Sequence, residues 1–257
     1  MRIDFGQYQG RCIDSCRFRH AEPLPSAAAP HYGADRAHVV IANFRHKAEY
    51  WIARIPVDTV ENVDILFQNF FYGVNHTALR FRFGSEGVHL FVQNSAQKKA
   101  PAEAIPDLVL SIEGVTAKDE KYDVFNSSLG NYLVDYRVQS GAETADWMVG
   151  HHRHSVRQYR LHMPAAEMRA LLLRGLMASE HDSFKSRYRL VFHNCATTIL
   201  DLLGDAPAGG LNWWLRLPRG WPLLPANGTL RALRERGLIS PGEASRIEDL
   251  AIEPETF

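Results

Sequence analysis

Cysteine is scarce in this 257-residue chain: three occur, Cys12, Cys16 and Cys195. So small and odd a number builds no disulfide framework, and stability has to come from a core. Cys12 and Cys16 amount to half a zinc-ribbon pattern with no second pair to complete it. They are read as two unpaired thiols in an N-terminal extension, the alternative being a pair bridged in an oxidising compartment. An excess of charge of either sign is also lacking. Lys and Arg total 29, and Asp and Glu total 29. Nothing here asks for a polyanion, so no nucleic-acid partner is expected. No apolar run reaches the roughly 18 residues that a membrane-crossing helix needs. Residues 1–6 show no charged-then-apolar leader, and the expectation is a cytoplasmic protein with no transmembrane segment. Internal repeats and low-complexity tracts are missing too.

What the chain does have is 46% hydrophobic residues, enough for a sizeable core. Residues 1–36, with Pro23, Pro25, Pro30 and the Ala27–Ala29 run, read as an arm or linker. Residues 37–239 read as one domain, and 240–257 as an acidic tail. Strands are expected at 37–44, 48–55, 63–71, 107–112, 132–138 and 156–162. Residues 74–83 and 88–95, separated by Gly84-Ser85-Glu86-Gly87, read as a β-hairpin. A helix is expected over 164–179, where Met168, Leu171, Leu172 and Leu176 make an apolar stripe, and another over 229–237. The pattern is that of an α+β protein, an antiparallel sheet packed against helices.

The stretch Val191–Gly204 carries the chemistry. Ile199, Leu200, Leu202 and Leu203 lie at helical spacing, and Cys195 falls in the first turn of that helix. A thiol there sits among free N–H groups at the positive end of the dipole, which favours thiolate. The alternative is a buried structural cysteine. A cysteine nucleophile also needs a base. His76 lies mid-strand beside Ala78, where a small residue would let a helix approach, and it is the expected base. In the hairpin register His76 faces Ser95, with Gln93 diagonal to it on the same face. Gln93 is therefore the expected orienting residue and Ser95 the reserve, with Asn94 replacing them after a one-residue slip. His89 would lie roughly 20 Å away along the strand and is rejected.

The run His151-His152-Arg153-His154 matches no helical two-histidine metal pattern and has no Cys or acid nearby to complete a ligand set. No metal and no cofactor is expected, and the run reads as a polar loop. His193 is expected to point away from Cys195. Asn194 is a candidate for orienting the loop or the oxyanion site. Trp213, Trp214 and Trp221 are candidates for lining the substrate site, against a reading as core packing.

Val74–Phe81 and Tyr188–Leu203 together resemble the Lnb-type N-terminal periplasmic domain family, which includes lyso-form lipoprotein N-acyltransferases. The likeness runs from about Ala37 to Gly237. It implies a circularly permuted branch of the NlpC-like papain fold, with a catalytic histidine on a strand preceding a cysteine on a helix. The lecithin:retinol acyltransferase group shares that order. By this resemblance Cys195 is the nucleophile and His76 the base; the third residue is not implied. Extracytoplasmic residence then becomes the alternative to the cytoplasm. The expected activity is acyl transfer through a thioester on Cys195, from a small-molecule or lipid-like ester or amide. Peripheral contact with a membrane surface is compatible with the Trp cluster. A cell-wall-type cysteine amidase or peptidase and a non-catalytic binding module are the alternatives.

Overall fold

Alternating and fully apolar runs become strands, as the period of two requires. The computed structural model describes residues 18–204 and 225–246, apart from 72–73, 94–99, 119, 124–125, 128, 152, 190–192, 241 and 243. Among the described residues twelve strands form one sheet. They are β1 (Glu22–Pro23), β2 (His38–His46), β3 (Glu49–Pro56), β4 (Val60–Phe71), β5 (Val74–Phe83), β6 (Val88–Val92), β7 (Glu103–Ile105), β8 (Asp107–Val115), β9 (Tyr132–Gln139), β10 (Val156–Arg160), β11 (Arg187–Tyr188) and β12 (Ala244–Arg246). The order is β12-β10-β4-β5-β8-β9-β2-β3-β6-β7, with β1 beside β2 and β11 beside β9. Pairing is antiparallel except between β2 and β9.

Four α-helices accompany the sheet among the described residues: α1 (Gly141–Ala145), α2 (Ala165–Asp182), α3 (Cys195–Leu202) and α4 (Pro225–Glu235). The architecture is α+β. One sheet face carries Leu79, Phe81, Leu108, Leu110 and Ile112. It is buried with Leu171, Leu172 and Leu176 of α2, Ile199 and Leu200 of α3, and Leu233 of α4. Gly175 lets α2 approach closely, because a Cβ there would collide with the side chain of Leu110. On the other face Ala78, Leu66 and Val109 lie under Met148 of the π-helical turn Asp146–His151. The small side chain of Ala78 therefore makes room for that turn, and not for the cysteine helix as the sequence suggested.

The expected hairpin between 74–83 and 88–95 does not form. Strand β5 pairs with β4 on one edge, Ile65 opposite Leu79, and with β8 on the other, Leu79 opposite Leu110. Strand β6 pairs with β3 and β7. Arg82 faces Asp107 and Val88 faces Ile105, so β5 and β6 run on together along the β7–β8 ribbon. The turn at Gly84–Gly87 does close, Gly87 N–H donating to the Gly84 carbonyl at 3.0 Å. It bends the ribbon as an outsized bulge and does not reverse the chain.

Part of the expected arm and part of the expected tail belong to the fold. Phe18 and Ala21 are in the core, and β1 pairs with β2. Ser179 of α2 accepts from the Ala21 N–H at 3.0 Å and donates to the Tyr136 carbonyl at 2.9 Å. Strand β12 pairs with β10.

Candidate active site

Helix α3 begins where Asn194 makes it begin. The carboxamide oxygen of Asn194 accepts from the N–H groups of Ala196 (2.8 Å) and Thr197 (3.0 Å), and Thr197 Oγ1 accepts from the Asn194 N–H at 3.0 Å. This reciprocal cap uses up helix-start donors that would otherwise be orphaned. Its consequence is to fix Cys195 in the first turn. Just upstream, Arg189 and His193 exchange two backbone hydrogen bonds, 2.7 and 2.9 Å, closing the loop between them. Tyr188, seven residues before Cys195, lies against the thiol. Its hydroxyl is 3.8 Å from Sγ.

Strands β5 and β8 pair from Arg82–Asp107 to Ala78–Ser111, whereas β8 runs on to Val115 beside β9. Helix α3 packs on both strands. At this end of β5, Cys195 meets the His76 imidazole and the backbone N–H of Thr77. His76 Nε2 lies 2.7 Å from Ser111 Oγ and 3.4 Å from Glu113 Oε1. Ser111 in turn donates to Glu113 Oε1 at 2.7 Å. Continuing the β5–β8 register by two residues brings Glu113 opposite His76.

Cys195 is 4% exposed and His76 7%. The pocket is buried but polar. Burial pushes the thiol up, and the nearby imidazolium with the Thr77 backbone N–H more than offsets it, bringing Cys195 down to about 7. Burial pushes His76 down, but Glu113 and the thiolate hold it up at about 10. Burial likewise raises Glu113, yet His76, Arg137 and Ser111 hold its carboxyl well below the usual range. Near neutral pH the arrangement favours thiolate, imidazolium and carboxylate in a row. Tyr188 is raised by burial and by the neighbouring sulfur, so its hydroxyl stays protonated.

Sequence reasoning pointed to Cys195 and His76, and the fold brings them together. It placed Gln93 wrongly. The Gln93 carboxamide donates to Asn43 Oδ1 at 3.0 Å and accepts from the Asn43 N–H at 3.3 Å, at the β2–β3–β6 side of the sheet. The expectation failed because it assumed the hairpin register. Ser95, Asn94, Cys12, Cys16, His152, Trp213, Trp214 and Trp221 lie outside the described residues. His89 is bonded to Arg54 and, at 3.0 Å, to the Glu86 carbonyl. His154 Nδ1 meets Gln68 Nε2 at 2.8 Å, and His151 stacks on Trp147. The residues missed were Ser111, Glu113, Thr77 and Tyr188. For the first two the signal was a pair of polar residues at a period of two inside the apolar run Leu108–Val115. Among the described residues no group of three or more His, Cys, Asp or Glu is arranged to hold a metal, and no helix is long and apolar enough to cross a membrane.

Gly114 matters to this pocket. A Cβ there would stand 3.0 Å from Tyr122 Cε2 and 3.6 Å from the Tyr188 ring. Its absence admits both aromatic rings beside the thiol.

Comparison with family models matches the Lnb N-terminal periplasmic domain over residues 47–235. No curated protein and no solved structure matches the chain.

Proposed function

The chain belongs to the Lnb N-terminal periplasmic domain family, and from that premise and the site geometry we propose that it is a cysteine-dependent acyltransferase. The observation that carries the proposal is the row Cys195–His76–Glu113, in which a buried, lowered thiol meets an imidazole held by Ser111 and a partly exposed carboxylate. Family membership and the order of histidine strand before cysteine helix favour a circularly permuted, NlpC-like papain fold. The family's description as periplasmic favours an extracytoplasmic setting over the cytoplasm.

In this mechanism the Cys195 thiolate attacks an ester or amide carbonyl of lipid or aminoacyl type, forming a C–S bond and a tetrahedral oxyanion. The Cys195 N–H and the Tyr188 hydroxyl are the donors for that oxygen. Collapse breaks the C–O or C–N bond, and the leaving group takes the proton of the His76 imidazolium. An amine then attacks the thioester and returns a proton to His76. The products are the N-acylated amine and the free thiolate. Water in place of the amine would make the same site a hydrolase. Glu113 and Ser111 hold the ring and stabilise its charged form, the role of a third group beside a catalytic imidazole.

The test is turnover of acyl esters with an amine acceptor. N-acyl product should form, Cys195→Ala should abolish it, and His76→Ala should lower it by about 10²- to 10⁴-fold, the usual contribution of a general acid–base group. Undiminished turnover in Cys195→Ala would defeat the proposal.

A further inference from the structure

A solvent-open cavity of about 240 Å³ lies beside this pocket, lined by Phe67, Asn69, Asn75, Ser155, Arg157, Tyr159 and Leu230. Its floor is apolar: Phe67 and Tyr159 are buried in the same core cluster as Cys195, with their rings edge to face at 5.7 Å. Its rim is polar and exposed at Asn69, Ser155 and Arg157. Register fixes its relation to the thiol. Arg157 pairs with Phe67 across β10–β4, and Phe67 pairs with Thr77 across β4–β5. Two strand spacings, about 10 Å, thus separate Arg157 from the residue that touches Sγ. Asn75 stands two residues before Thr77, on the same face of β5.

Among the described residues Arg157 makes no ion pair, and none forms a hydrogen bond with the Asn69 carboxamide or the Ser155 hydroxyl. Other arginines on the neighbouring strands and on β10 itself are matched to carboxylates: Arg80 to Asp107, and Arg82 and Arg160 to Asp64. A cavity wall with an unmatched guanidinium and spare amide and hydroxyl groups recognises an oxyanion. The volume is below the roughly 300–1,000 Å³ of sites that enclose a whole small molecule, so it suits a headgroup.

We propose that this cavity binds an anionic group, phosphate or carboxylate, of the acyl-bearing substrate while the acyl carbonyl reaches Cys195. The role as a substrate subsite rests on the acyltransferase reading, but anion binding does not. The experiment uses Cys195→Ala protein, which binds without turning over, and measures equilibrium binding by calorimetry. The probes are dioctanoyl phosphatidylglycerol against dioctanoylglycerol, and N-octanoylglycine against its amide. The charged member of at least one pair should bind more tightly, and which pair does so tells phosphate from carboxylate. Adding Arg157→Gln should weaken that member by roughly 10- to 100-fold, as expected for losing a charge-assisted contact, and leave its neutral counterpart unchanged. Equal binding of both members of each pair would overturn the proposal, as would insensitivity to Arg157→Gln. In the protein with Cys195 intact, acyl adduct formation is followed in parallel. Adducts without charge selectivity would refute the subsite and spare the acyltransferase reading, and charge-selective binding without adducts would do the reverse.

Discussion

Replacing His76 by Gln should move the ionisation of Cys195 upward by at least about two pH units. The thiol stands near 7 because the imidazolium and the Thr77 backbone N–H outweigh the cost of burial. Without the imidazolium the largest lowering influence is gone and burial remains, so the thiol rises past the ordinary cysteine range of about 8.5. A thiol at about 7 is half ionised at pH 7, and one at about 9 is ionised to about 1%, a fall of roughly 50-fold. Part of that is recovered, because a thiolate about two units more basic is intrinsically about 8-fold more nucleophilic. The net loss in alkylation rate at pH 7 is therefore about 6-fold, too small to decide the matter at a single pH. The midpoint of the profile decides it. Iodoacetamide labelling of Cys195, resolved from Cys12 and Cys16 by peptide mass, should rise through about pH 7 in the native protein and above 8.5 in His76→Gln. Superimposable profiles would show that His76 does not set the state of the thiol.

Three further outcomes follow from the same geometry. Glu113→Gln should lower turnover and bring the His76 transition down from about 10, read by nuclear magnetic resonance of the imidazole, whereas Gln93→Ala should leave both unchanged. Asn194→Ala removes the cap of α3 and should cost about 1 kcal/mol in chemical denaturation. The pH dependence of stability should carry opposite signs on its two limbs. His76 is raised, so its contribution is full below its ordinary value of about 6.5 and is lost as pH rises through about 10. Cys195 is lowered, so its contribution is full above the ordinary cysteine range and is lost as pH falls through about 7. The denaturation midpoint of the native protein relative to Cys195→Ala should therefore fall away on either side of about pH 7–10.

Strands and helices were legible wherever a local period existed. Residues 107–112 and 132–138 showed their strands by apolar and β-branched content, and 164–179 showed α2 by its stripe. Cys195 was legible in the first turn of α3 because Ile199, Leu200, Leu202 and Leu203 lie at helical spacing. What local pattern does not encode is which strand lies beside which. Gly84-Ser85-Glu86-Gly87 has hairpin chemistry and does make a turn. The pairing of β5 with β8, thirty residues on, is decided instead by the opposite ribbon, which passes the same corner through Pro106 alone. That one unreadable register hid Glu113 and Ser111, and led to Gln93 in their place. Tyr188 was hidden likewise, since no local pattern encodes its approach to Cys195.

The covalent intermediate is the most direct test of the acyl-transfer account. Protein exposed briefly to an activated acyl ester without acceptor should gain one acyl mass, located on the peptide containing Cys195 and released by hydroxylamine as a thioester is. A mass gain that persists in Cys195→Ala, or that resists hydroxylamine, would contradict it.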